Sequence, residues 1–124
     1  MKHDPTTGEL VALAKQDGIV LTLYRVFGKC VKVRIPFSQK AYDTGIDSLD
    51  FSVRANNAMK RVGVFTVGQV IELIAGDRLM QIRNLGKKTQ NEIKTHILAF
   101  GYDRLTEKEQ NRFFADVIEA NASS

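Results

Sequence analysis

From Ile46 to Phe100, apolar positions recur at helical spacing, in short bursts separated by glycines and by residues that cap helices. Ser52 is placed to cap a helix over 53–62, with Gly63 as its stop. Thr66 is placed to cap the next, whose Val67, Val70, Ile71 and Ile74 sit at i, i+3, i+4 and i+7 in one stripe ended by Gly76. A single turn over 77–81 follows. Gly86 then opens a longer helix to about residue 100, with Ile93, Ile97 and Phe100 facing inward and Gly101 as C-cap. Val53, Val67, Ile71, Ile74, Leu79, Ile82, Leu85, Ile93 and Ile97 are the expected core. Thr106 and Glu109 form a T-x-x-E capping box that starts a last helix through Phe113, Phe114, Val117 and Ile118. Its two phenylalanines read as core, packed on the helical module, and ANASS as a frayed end.

The N-terminal third has a different rhythm. Residues 1–8 read as a loose tail, and residues 9–17 as two helical turns ended by Gly18. Over 19–35 the sequence is rich in β-branched and aromatic residues. Its second half alternates, with Val31, Val33 and Ile35 on one side and Cys30, Lys32 and Arg34 on the other. A β-hairpin turning near Gly28 is the expectation, with a helix over 9–25 as the rival. Such a hairpin needs a cover for its apolar side, either the helix over 107–120 or a second copy of the protein. Its edges carry Lys29, Lys32 and Arg34, which discourage aggregation and add weak phosphate attraction. Pro36 closes the segment and 37–45 reads as linker. The expected fold is mainly α. It is a compact bundle of four short helices, the third a single turn, with an N-terminal hairpin and a C-terminal helix. The domains expected are an extension over 1–45, a module over 46–102 and a tail over 103–124.

Composition narrows the function classes. The chain has 124 residues, 44% of them hydrophobic, which suits a folded protein. Charge is distributed as +3 over residues 1–46, +3 over 47–104 and −2 over 105–124, giving the formal +4. A basic body with an acidic end is compatible with a polyanionic partner. Cys30 stands alone, so no intrachain disulfide forms, which favours a reducing compartment. The N-terminus lacks an apolar signal core, and no run approaches the ~18 apolar residues of a membrane span. A cytoplasmic protein is the expectation. The only histidines are His3, in the tail, and His96, in a helix, with no metal-ligand spacing between them and Cys30. No Walker, G-x-S-x-G or G-x-G-x-x-G motif occurs, and no carboxylate pair stands apart for acid–base work. The reading is of a protein without catalytic residues, cofactor or metal.

Chemistry concentrates in two places. Arg83-Asn84-Leu85-Gly86-Lys87-Lys88-Thr89 puts a glycine directly before a helix. The first N–H groups of a helix have no internal partner and carry positive potential, so they suit a phosphate oxygen. Lys87, Lys88 and Thr89 add two cations and a hydroxyl; the plainer reading is a solvated helix start. The second cluster is Ser52-Val53-Arg54-Ala55-Asn56-Asn57. Arg54 and Asn57, three apart on a helix, share a face and are side-chain types suited to a groove edge. Taken alone, that cluster is more often an ordinary polar face.

The stretch from Ile46 to Tyr102 resembles the C-terminal domain of the bacterial RNA polymerase alpha subunit. The matching blocks are Asp47, Leu49 and Asp50, then SVR-x-x-N-x-x-K-R-x-G, then TVG-x-V-I, then I-R-NLGKK-T-x-x-E-I-K, whose glycine turn is of helix-hairpin-helix type. The resemblance implies DNA binding near promoters. The arginine inserted into the minor groove falls on Arg54 and the helix-face asparagine on Asn57. The glycine, lysine and hydroxyl of the phosphate-binding hairpin fall on Gly86, Lys88 and Thr89. The glutamate orienting the arginine side falls on Glu92. Ala58 stands where a cysteine is common, at the loss of a minor backbone contact. Asp47 and Asp50 match the acidic surface facing the sigma factor, which Ser48 interrupts. Gly76-Asp77-Arg78 departs from the family at the surface after the second helix. Residues 1–45 are too short for the subunit's assembly domain, so the sequence reads as a free-standing relative or a fragment, and the Met1 start favours the former.

The leading expectation is therefore a nucleoid-associated transcription module that binds A/T-rich double-stranded DNA. RNA polymerase, the sigma factor or activators are its further partners. The alternative is an adaptor or decoy that touches polymerase or a regulator with little DNA binding. A weaker rival is a repair-type helix-hairpin-helix protein without sequence preference.

Overall fold

The computed structural model of the protein describes residues 5–28, 30–83 and 85–122; His3, Lys29, Asn84 and the last two residues of the ANASS tail lie outside them. The helices are α1 (Thr7–Asp17), α2 (Ile19–Phe27), α3 (Gln39–Tyr42), α4 (Val53–Arg61), α5 (Val67–Ala75), α6 (Lys87–Asp103) and α7 (Glu107–Asn121), with 3₁₀ turns at Ile46–Leu49 and Leu79–Gln81. Among the described residues there is no strand, only one isolated antiparallel bridge between Gly45 and Thr66. Among the described residues no helix is long and apolar enough to cross a membrane. The chain divides into two compact units, one of residues 1–36 with 101–124 and one of residues 37–100.

In the central unit the helix ends are fixed by their sequence. Ser52 accepts a hydrogen bond from the Ala55 N–H at 3.2 Å and starts α4. Past its C-terminus, Gly63 takes φ 81°. The Gly63 N–H bonds the Lys60 carbonyl at 3.0 Å and the Val64 N–H bonds the Met59 carbonyl at 2.9 Å. This is a Schellman stop, with the apolar pair Val64 and Met59 both buried. Thr66 and Gln69 cap each other at the start of α5. The core joins Ile46, Leu49, Phe51, Ala55, Ala58, Met59, Val64, Val67, Val70, Leu79, Ile82, Leu85, Ile93, Ile97 and Phe100, with Ile71 and Ile74 packed against it half-buried. Val53, expected in this core, is 76% exposed. Ala55, Ala58 and Met59 set the buried stripe of α4 at i, i+3 and i+4, and Val53 lies on the far side of that stripe.

Residues 37–45 are not a linker. Ser38 caps α3 through the Ala41 N–H at 3.1 Å, and Ala41 is buried in the same core. Helix α3 packs on α5, where a Cβ added to Gly68 would run into the Tyr42 ring and lie 3.1 Å from the Tyr42 carbonyl oxygen. Glycine is required there by the approach of two backbones.

In the terminal unit the described residues of 19–35 form no hairpin, and residues 19–27 are α2. Ile19, Thr22 and Leu23 are buried at i, i+3 and i+4, so the apolar run is helical rather than stranded. The rival helix over 9–25 is broken instead at Gly18, where φ is 88°. Helix α1 starts in a Thr6–Glu9 capping box and packs against both α2 and α7. Phe113, Phe114 and Val117 of α7 are buried. Both phenylalanine rings meet Tyr102 edge-on, at 5.4 and 5.8 Å between centroids. That contact also explains a second correction. Gly101 does not cap α6, which continues to Asp103 and so carries Tyr102 into the aromatic cluster. The Tyr102 hydroxyl is buried without a hydrogen-bond partner among the described residues, and burial pushes its pKa up to about 12. At the head of α7 the Thr106–Glu109 capping box forms as the sequence suggests, and its hydrogen bonds hold the Glu109 carboxyl below its ordinary pKa.

Candidate nucleic-acid interface

The site is organised by one carboxylate. Glu92, in the second turn of α6, accepts from the Ser52 N–H at 2.7 Å and from the Ser52 hydroxyl at 2.8 Å. The same Ser52 oxygen caps α4. A bidentate charged acceptor thus ties the N-terminus of α4 to α6, where negative charge also suits the α4 dipole. Arg54 follows Ser52 by two residues, and Lys88 lies one turn before Glu92 on the same face of α6. Both cations are exposed, and among the described residues neither has an ion-pair or hydrogen-bond partner.

Gly86 precedes α6, and the first helical bond runs from the Gln90 N–H to the Gly86 carbonyl at 3.0 Å. The N–H groups of Lys87, Lys88 and Thr89 have no acceptor among the described residues, as expected of a first turn. A Cβ on Gly86 would meet nothing within 4 Å, and its φ lies outside the left-handed region. Neither packing nor backbone geometry therefore demands glycine at Gly86. What its missing side chain leaves is an open approach to the first turn of α6.

The remaining candidates divide by exposure. Asn57 is exposed on the Arg54 face of α4. Ala58 is 7% exposed and belongs to the core, and Thr89 is equally covered. Asp47 pairs with Lys60 at 2.9 Å at the surface, and Asp50 ends the 3₁₀ turn in a left-handed conformation with φ 56°. Glu92 contacts Ser52 rather than Arg54, so it can act on the arginine only by holding the helix that carries it. Local spacing marks Ser52 only as a cap, because its second role depends on a partner on another helix. Asn56 is likewise new. Its amide nitrogen donates to the Phe51 carbonyl at 3.5 Å while its Oδ1 is buried without a partner among the described residues.

A capped helix bearing an exposed arginine is tied to a glycine-led helix bearing an exposed lysine, and the two define a small helical module. The profile of the C-terminal domain of the bacterial RNA polymerase alpha subunit matches residues 35–98, more than half of the sequence. The protein belongs to this family. It is 40% identical over 62 residues to the DNA-directed RNA polymerase subunit alpha of Symbiobacterium thermophilum, a match over 50% of this protein and 19% of that subunit. The subunit of Corynebacterium glutamicum is 44% identical over 61 residues, 49% of this protein and 18% of the subunit. That of Carboxydothermus hydrogenoformans is 38% identical over 71 residues, 57% of this protein and 22% of the subunit. The protein thus spans about a fifth of the length of the curated relatives it matches. No solved structure matches it significantly.

Proposed function

We propose that the 37–100 unit is a DNA-binding transcription module that takes the minor groove of A/T-rich duplex near promoters. Arg54 enters the groove, where A/T sequence narrows it and deepens its negative potential. Asn57 lies beside it at the groove edge. The open first turn of α6 at Gly86, with Lys88, holds a flanking phosphate. Thr89 contributes its backbone N–H, and Ala58 supports the helix from within. The observation that carries the reading is the double hydrogen bond from Ser52 to Glu92, which fixes the Arg54 helix against the phosphate-facing turn. Groove and backbone can then be met at once. Asp47 and Asp50 face the protein partners, RNA polymerase with its sigma factor or an activator, and the protein resides on the nucleoid.

The test is a titration of the ¹⁵N-labelled protein with A/T-rich duplex. Amide shifts at Gly86, Lys87, Lys88 and Thr89 together with Arg54 and Asn57 are the expected result. Shifts confined to Asp47, Asp50 and their neighbours on adding polymerase, with no response to duplex, would replace the reading with that of an adaptor.

A further inference from the structure

The segment between α2 and α3 carries a feature that the DNA reading does not use. Asn121, at the end of α7, grips Lys32 with both ends of its amide. The Lys32 N–H donates to Asn121 Oδ1 at 3.0 Å, and Asn121 Nδ2 donates to the Lys32 carbonyl at 3.0 Å. One side-chain amide can bridge the N–H and C=O of a single residue only where both point the same way, as they do in extended backbone. The grip therefore behaves as one rung of a β ladder. In an extended backbone the neighbouring residues turn their N–H and C=O groups to the opposite edge. Those residues are Val31, Val33 and, two further on, Ile35. Among the described residues, none of their backbone groups has a hydrogen-bond partner. Val33 is 40% exposed, and Lys32 and Arg34 are without ion-pair partners among the described residues.

We propose that residues 31–35 form an open β edge that takes an extended acidic peptide strand by β-augmentation. The free edge offers donors and acceptors alternately, and only another peptide backbone supplies both; a nucleic-acid backbone leaves the carbonyls unmet. Charge selects the partner. A second copy of this segment, paired antiparallel through the same edge, sets Lys32 opposite Lys32, Lys32 opposite Arg34, or Arg34 opposite Arg34 in the three central registers, and like charges opposite one another are destabilising. A strand that alternates apolar with acidic residues pairs its apolar side chains with Val31, Val33 and Ile35. Its carboxylates then meet Lys32 and Arg34.

The full-length protein, ¹⁵N-labelled, is titrated with a capped peptide of alternating glutamate and valine, with a lysine–valine peptide as control. The amides of Val31, Val33 and Ile35 are expected to shift and gain hydrogen-exchange protection. The lysine peptide is expected to bind roughly threefold or more weakly, the scale of two cross-strand charge pairs. Lys32→Glu combined with Arg34→Glu reverses that order of preference. Val33→Pro removes a donor at the centre of the edge and is compatible with extended backbone at Lys32, so it abolishes binding while α1, α2 and α7 keep their amide protection. The proposal is overturned if the acidic peptide leaves these amides unmoved at millimolar concentration, or if both peptides bind equally. It is overturned equally if duplex DNA rather than peptide protects these amides, or if the protein self-associates through this strand and Val33→Pro abolishes the association.

Discussion

The two units of this protein reach stability by different means. The central unit is assembled from short helices whose ends are fixed locally by Ser52, Gly63, Thr66 and Gly76, around a mainly aliphatic core drawn from one continuous stretch. The terminal unit joins the two ends of the sequence. Its α1 packs on α7, and its aromatic centre is Tyr102, Phe113 and Phe114. The first unit can form from near neighbours. In the second, α1 and α2 pack on each other, and α1 also packs on α7 from the far end of the sequence. Local punctuation thus suffices for the part that carries Arg54, Gly86 and Lys88, and the packing of α1 on α7 marks the part that does not.

The sharpest break in that comparison is Phe114→Ala. Removing a fully buried ring is expected to cost about 3–5 kcal/mol. Hydrogen exchange is expected to show the loss in α1, α2 and α7, with the amides of α4 and α5 unchanged. Equal loss in both units would mean that they fold as one.

A smaller effect comes from pH. Tyr102 ionises at about 12 in the folded protein against 10.0 as its ordinary value. Above pH 10 the unfolded protein loses the phenolic proton while the folded one keeps it, so stability falls as pH rises. The loss is complete near pH 12 and amounts to roughly 2–3 kcal/mol. Tyr102→Phe is expected to remove this decline. Because the hydroxyl has no partner among the described residues, the substitution leaves stability at neutral pH unchanged or raised. Thermal melts of both proteins at neutral pH and across pH 10–12 check it.

What is legible in the sequence alone follows the same division. Ser52, Thr66 and Thr106 announce helix starts because their capping chemistry is local, and all three cap where expected. Val53 misleads because the buried stripe of α4 is led by Ala55 and Ala58, which carry little hydrophobic signal. Helix α3 is too short to show a period and exists through its fit between Tyr42 and Gly68. The apolar run over 19–27 reads as strand or helix until its cover is known, and that cover includes α1, across the break at Gly18. At the site, Arg54, Gly86 and Lys88 are visible as residue types in a motif. The bond between Ser52 and Glu92 joins two helices and leaves no mark in local spacing.

That bond yields the smallest expected stability change. Gln at position 92 keeps one acceptor oxygen for the two Ser52 donors, so Glu92→Gln is expected to cost about 1–2 kcal/mol in the central unit alone. A/T-duplex affinity is expected to fall with it while the terminal unit keeps its exchange protection. An affinity unchanged by this substitution would separate the bond from DNA recognition.

The most direct test is fluorescence anisotropy of the full-length protein on A/T-rich and G/C-rich duplexes across a salt series, with Arg54→Ala and Lys88→Ala beside the unaltered protein. Arg54→Ala is expected to lose about 1–3 kcal/mol on the A/T-rich duplex and little on the G/C-rich one. Lys88→Ala is expected to weaken both alike and to reduce the salt slope by about 1. Indifference of the unaltered protein to base composition, with both substitutions acting equally on every duplex, would contradict groove recognition through Arg54.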